Sequence, residues 1–148
     1  MKVAVSPTRP DGPIVVGRIL LYADHLVAHW MMEKTGQTIF PPYTAFAALA
    51  PDGQIAGAVL FNDHLEGSVE VSIVAPGRVS RALLRVSAQY AFGDLGVNRV
   101  AARTRASNLR ASSFIERVGF RREGVLRAFY ADGEDALLYG MLKAECRW

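Results

Sequence analysis

The sequence predicts a mixed α+β fold with one central sheet and helices on both faces, and three observations carry that expectation. Residues Arg99 to Ala106 alternate, with Val100, Ala102 and Thr104 on one side and Arg99, Arg103 and Arg105 on the other, the period of a half-buried strand. Directly after it, Ala111, Phe114, Ile115 and Val118 recur at i, i+3, i+4 and i+7 and draw one apolar stripe along a helix opened by Ser107-Asn108. Val79, Ala82, Leu83, Val86 and Tyr90 show the same helical period upstream.

The remaining elements follow in chain order. Ser6 to Gly12 is rich in Pro and Gly, so residues 1–12 are expected to form a loosely attached arm. Pro13 to Val16 starts a first strand. Asp24 is expected to cap a helix reaching about Glu33, with Leu26, Val27, Trp30 and Met31 as its broad apolar face and Gly36 as its end. Tyr43 to Ala50 and Gln54 to Asn62 read as a hairpin joined by the turn Pro51-Asp52-Gly53. A loop around His64 to Gly67 leads to the central strand, Ser68 to Ala75, which Glu70 and Ser72 interrupt. The helix after it ends near Gly93 to Gly96. Gly119 is placed as an αL cap, and the closing strands, Phe120 to Tyr130 and Asp135 to Lys143, flank an Asp132-Gly133 turn.

A chain of 148 residues buries about 68 to 70% of its unfolded surface, enough for one core, so 1–148 is read as a single domain. Asp, His, Arg or Gly break every apolar run before the ~20 residues a membrane helix needs, and no signal-peptide pattern opens the chain, which places the protein in the cytoplasm without membrane partners. Cys146 is the sole cysteine and is read as a surface thiol. His25 and His29 are four apart, but no His-Glu-x-x-His arrangement or third ligand accompanies them, so no metal is expected.

Charge is uneven. Residues 78 to 127 hold eleven arginines against Asp94, Glu116 and Glu123, a balance of +8, while the preceding part stands at −3 and the tail at −2. Guanidinium forks match phosphate oxygens, so the Arg-rich middle suits a nucleotide cofactor or a nucleic acid. The bland reading is a solvated face, and Arg81, Arg85, Arg110 and Arg117 lie off the apolar stripes of their helices, as solvated residues should.

The order Asn108-x-x-Ala111, then Glu116-x-x-Gly119-Phe120, resembles the carboxyl-terminal half of the GNAT acetyltransferase superfamily. The continuation Arg121 to Arg127 is similar to the branch of ribosomal-protein N-terminal acetyltransferases and small phage members. The resemblance implies a mixed, mostly antiparallel twisted sheet of six to seven strands and an enzyme that uses acetyl-CoA. It also implies a cofactor site in Val74, Ala75, Gly77, Arg78, Val79, Ser80 and Arg81, where loop N–H groups and a helix start hold the pyrophosphate. The chain departs from the family pattern there: Arg78 and Ser80 stand where glycines are usual, Ala75 stands at the leading position, and Gly77 alone remains. Asn108 is expected beside the pantetheine arm, as N-cap, or as both.

Transfer needs a base for the acceptor amine and an acid for the leaving thiolate. Glu70 is the candidate base, because it breaks the central strand on the face shared with Ser72 and Val74; the bland alternative is solvent exposure or pairing with an arginine. The family's usual acid positions hold Ile115 and Ala111, leaving Ser112 as a weak candidate beside its ordinary role as helix-surface polarity. His25, His29, Trp30 and Tyr43 are candidates for the acceptor site, as the family uses its first helices there, with packing in the core as the alternative for the aromatic residues. The expected function is acetyl transfer to a primary amine, on a small molecule or peptide, by direct attack on the thioester, since Cys146 lacks an activating partner in sequence. The alternatives are a weakened GNAT-fold module binding nucleic acid or another polyanion through residues 78–127, and a phage-type enzyme that modifies nucleic acid. A homodimer suits the fold.

Overall fold

The computed structural model describes residues 10–148, and the arm expected at 1–12 falls almost wholly outside the described residues. Eight strands form one open sheet in the order β1-β2-β3-β4-β5-β6-β8-β7: β1 (Ile14–Val16), β2 (Ile19–Leu21), β3 (Thr44–Leu49), β4 (Ile55–Leu65), β5 (Ser68–Val74), β6 (Arg99–Arg105), β7 (Arg121–Leu126) and β8 (Ala136–Leu142). Among the described residues three α-helices accompany them: α1 (Asp24–Thr35), α2 (Arg81–Ala88) and α3 (Leu109–Val118). The sheet is mixed and mostly antiparallel, as expected, with one strand more than expected. The extra strand is β2, three residues too short to show a period. The chain divides into two compact units, 10–60 with 73–83, and 61–72 with 84–148.

In the first unit, Ala23, Val27, Ala28 and Met31 of the α1 segment bury against Ala45 and Ala47 of β3 and Ala58 and Leu60 of β4. Alanines on the strands let the helix approach closely. Asp24 does not cap α1; Ala23 holds the cap position without a side-chain bond, and Asp24, in the first turn, accepts the Ala45 N–H at 3.0 Å and so ties helix to strand. Gly36 ends the helix in the left-handed region (φ 71), its N–H donating to the Met32 carbonyl at 2.8 Å. The predicted hairpin turn forms at Gly53 (φ 83), with Asp52 accepting the Gln54 N–H.

In the second unit, β6 pairs in parallel with β5 and antiparallel with β8. Val100, Ala102 and Thr104 are buried and the arginines of β6 lie on the other face, as the alternation predicts. α3 packs on β6 through its apolar stripe, with Ile115 and Val118 buried, and Gly119 closes it at φ 121, a positive value outside the αL region expected for it. The second helix differs from its expected stripe. α2 begins at Arg81, and at Gln89 it widens into a π-helical turn, Gln89–Asp94. The buried residues are Leu83, Leu84, Ser87, Ala91 and Phe92, while Ala82 is exposed and Val86 and Tyr90 are only half-buried. β7 stops at Leu126, earlier than expected, because the chain turns through Ala128 (φ 50).

Candidate functional site

The parallel ladder between β5 and β6 runs from Ser68↔Arg99 to Glu70↔Ala101 and ends there, although β5 continues to Val74 and β6 to Arg105. Beyond Glu70 the two strands no longer share a ladder, so main-chain groups on those edges are left for something other than each other. Paired residues of a parallel ladder share a face, so Glu70 and Ala101 set the side on which Arg103 also stands.

Glu70 meets Arg103 there, with Oε1 2.7 Å from a guanidinium nitrogen and the carboxylate side chain 18% exposed. Burial pushes its pKa above the ordinary glutamate range; Arg103, by charge and hydrogen bond, pulls the other way, and Asp63 adds to the rise. Arg103 in turn lies 4.6 Å over the Phe129 ring, and Arg105 lies 4.1 Å over Tyr130, the two rings meeting edge to face. Arg105 also bridges Asp132 and Glu134, both at 2.9 Å, while Glu134 accepts the Ser107 N–H at 2.8 Å. Burial pushes the Tyr130 phenol pKa above its ordinary value, against the pull of Arg105 and Arg103. The loop from 127 to 135 is thereby fastened over one end of β6. Phe129, Tyr130 and the acidic residues of the turn were not expected at the site; the one signal for them in the sequence is the run Asp132-Gly133-Glu134-Asp135.

Asn108 is the α3 N-cap, its Oδ1 accepting the Ala111 N–H at 3.1 Å; this leaves its NH₂ group outside the cap. Ser112 Oγ donates to the Leu109 carbonyl at 3.2 Å, and the buried Tyr139 phenol donates to Glu116 at 3.2 Å. The Ser112 hydroxyl is thus engaged within its own helix.

The predicted cofactor stretch lies in the first unit. Val74 packs against the alanine-lined core, and Pro76, Gly77 and Arg78 are exposed. Ser80 Oγ accepts the Leu83 N–H at 3.3 Å, so the serine in a usual glycine position caps α2. The first N–H groups of that helix retain the positive end of its dipole. Arg78 and Arg81 are exposed and have no carboxylate partner among the described residues. A Cβ built on Gly77 would meet nothing within 4 Å, so the protein itself does not require glycine there.

The four acceptor-site candidates divide. His25 Nδ1 and the Tyr43 hydroxyl are 2.8 Å apart, and Tyr43 and Trp30 both pack against the same alanine-lined core. His29 instead pairs with Glu33 one turn along α1, at 3.1 Å on the surface. His25 and His29 thus each have their own partner, and among the described residues no three His, Cys, Asp or Glu gather as a metal site would require.

No family model matches the chain. In sequence it is similar to an uncharacterized N-acetyltransferase of Methanocaldococcus jannaschii, 33% identical over 93 residues, which cover 59% of this chain and 59% of that protein. The match thus spans less than two thirds of the archaeal relative. In structure it is similar to the dodecameric spermidine N-acetyltransferase of Vibrio cholerae, with a TM-score of 0.60 and 21% identity over 69% of this chain and 66% of that one. It is also similar to an acetyltransferase of the GNAT family from Bacillus anthracis, with a TM-score of 0.57 and 21% identity over 68% and 67% of the two chains. The chain has the GNAT fold. No helix among the described residues is long and apolar enough to cross a membrane.

Proposed function

We propose that this protein is an acetyl-CoA-dependent N-acetyltransferase acting on a primary amine, with residues 1–148 working as one catalytic domain. The observation that carries the reading is the β5–β6 ladder ending at Glu70↔Ala101, with a half-buried carboxylate of raised pKa at the point where it ends. The acetyltransferase relatives support it.

The loop 75–80 and the first turn of α2 would hold the pyrophosphate through backbone N–H groups, with Arg78 and Arg81 supplying charge where glycines are missing. The chain at Val74 and Ala75 would align the thioester. Glu70 accepts the proton that the amine loses as its nitrogen attacks the thioester carbonyl carbon; burial brings the carboxylate closer in pKa to the amine, and Arg103 keeps it oriented. The C–S bond then breaks and the sulfur leaves as thiolate. A thiol of cysteine type titrates near about 8.5, so water can reprotonate it at neutral pH, and Ser112 is not needed as an acid. His25, Trp30 and Tyr43 are proposed to contact the acceptor, with His29 a surface residue.

The test is the melting temperature with and without acetyl-CoA. A ligand at ~100 times its Kd adds about 2.7 kcal/mol, roughly 5 to 10 °C here. A shift of that order that free CoA reproduces, followed by amine-dependent release of CoA, supports the reading; no shift at millimolar acetyl-CoA would overturn it.

A further inference from the structure

The second unit carries another concave surface, which the proposed transfer reaction does not use. An open cleft of about 490 Å³ is lined by Arg85, Gln89, Phe92, Lys143, Cys146 and Trp148. Gln89 and Phe92 come from the π-helical turn that continues α2, a geometry that recurs at functional sites. The opposite residues come from the final 3₁₀ turn, Lys143–Glu145, and the chain end. Trp148 is held in place there, its indole N–H donating to the Val118 carbonyl at 2.9 Å.

The charge of the cleft is one-sided. Neither Arg85 nor Lys143 has a carboxylate partner among the described residues, and no Asp or Glu side chain lines the surface. Glu145, the acid nearest in sequence, is already engaged, with Oε2 2.6 Å from Arg121 and Oε1 accepting the Leu142 N–H at 2.9 Å. On β6, by contrast, Arg99, Arg103 and Arg105 each have a carboxylate. Two cations without carboxylate partners beside a fixed indole and a phenylalanine match a dianion attached to a flat ring.

We propose that this cleft binds a phosphomonoester carrying a planar ring, with the size and charge of a nucleoside monophosphate. A phosphomonoester bears about −1.5 to −2 at neutral pH, against the formal pair of positive charges from Arg85 and Lys143. The guanidinium supplies a fork and the ammonium a point charge for its oxygens. Trp148 offers a stacking face, and the Gln89 amide can both donate to and accept from a ring edge. The cleft volume falls within the roughly 300–1,000 Å³ range of small-molecule sites.

The test is calorimetric titration of the full chain with AMP, alone and in saturating CoA. We expect one AMP site whose affinity CoA leaves unchanged and which the double variant Arg85→Ala/Lys143→Ala weakens by about tenfold or more. The ligand-free melting temperature of the variant should match the wild type, since both side chains are exposed. Cys146, the sole cysteine, lines the cleft, so AMP should also slow its alkylation in the wild type and not in the variant. No AMP binding at millimolar concentration, loss of the AMP site in saturating CoA, or an AMP affinity indifferent to the double variant would each overturn the proposal, and none of these results bears on whether acetyl-CoA is the acyl donor.

Discussion

The arginines of β6 and those around α2 belong to the same Arg-rich stretch of sequence and behave in opposite ways. Arg99, Arg103 and Arg105 are each bound to carboxylates, and Glu70, Asp132 and Glu134 come from the acidic flanks on either side of that stretch. Arg121 draws Glu145 from the same tail. Arg78, Arg81 and Arg85 have no such partner among the described residues. The +8 counted over residues 78 to 127 is therefore partly consumed inside the second unit, and the charge left for an anionic ligand gathers at the loop before α2 and at the cleft beyond it. Arg103 and Arg105 are each engaged by carboxylates, Arg103 by Glu70 and Arg105 by Asp132 and Glu134.

The largest effect that separates the two groups is expected at the carboxylate of the Glu70–Arg103 pair. Glu70→Gln should lower the transfer rate by about 10²-fold or more while leaving acetyl-CoA binding by thermal shift unchanged, because the base is lost and the loop is not touched. Next, Arg103→Met strands a half-buried carboxylate and removes the stack on Phe129. We expect a loss of about 1–2 kcal/mol by denaturant titration, below the cost of breaking a fully buried pair because both partners retain some solvent. Gly77→Ala should leave the melting temperature unchanged, since the added methyl meets open space. If the backbone there approaches phosphate, the same change should weaken acetyl-CoA by about tenfold, roughly 1.4 kcal/mol.

The smallest effect concerns the turn that Arg105 holds. The Glu134 N–H, then Arg105, lowers the pKa of Asp132; Ser107, then Arg105, lowers that of Glu134. Carboxylates with depressed folded pKa values stabilise the fold above their ordinary range and lose that contribution as pH falls through the depressed values. The Asp132→Asn/Glu134→Gln variant should thus be slightly less stable than the wild type at pH 7 and indistinguishable from it in strong acid, which melting curves at the two pH values will show.

Much of the fold could be read from residue spacing, because it rests on local periods. The alternation of Val100, Ala102 and Thr104 and the stripe through Ile115 and Val118 each encode burial within a few residues. β2 and the π-helical turn escaped for the same reason: three residues carry no period, and the turn changes phase where a regular helix was extrapolated. The candidate site was half legible. Glu70 stood out as a charge in an apolar strand, and its pairing with an arginine was the bland alternative. Its partner and the Phe129-Tyr130 loop depend on a parallel register and a return strand far along the chain, which spacing alone cannot supply. Asp24 shows the same limit, since its bond to Ala45 spans a connection that a capping rule does not see.

The proposed roles of Glu70 as base and Arg103 as the residue that tunes it are both tested by the pH dependence of kcat/KM for amine-dependent CoA release in wild type and Arg103→Met. A base must be unprotonated, so activity should rise with pH through the folded pKa of Glu70, above the ordinary glutamate range. Arg103 holds that pKa down, so its removal should move the acid limb to higher pH. An acid limb in the same place in both proteins, or no amine-dependent release from the wild type, would contradict these roles.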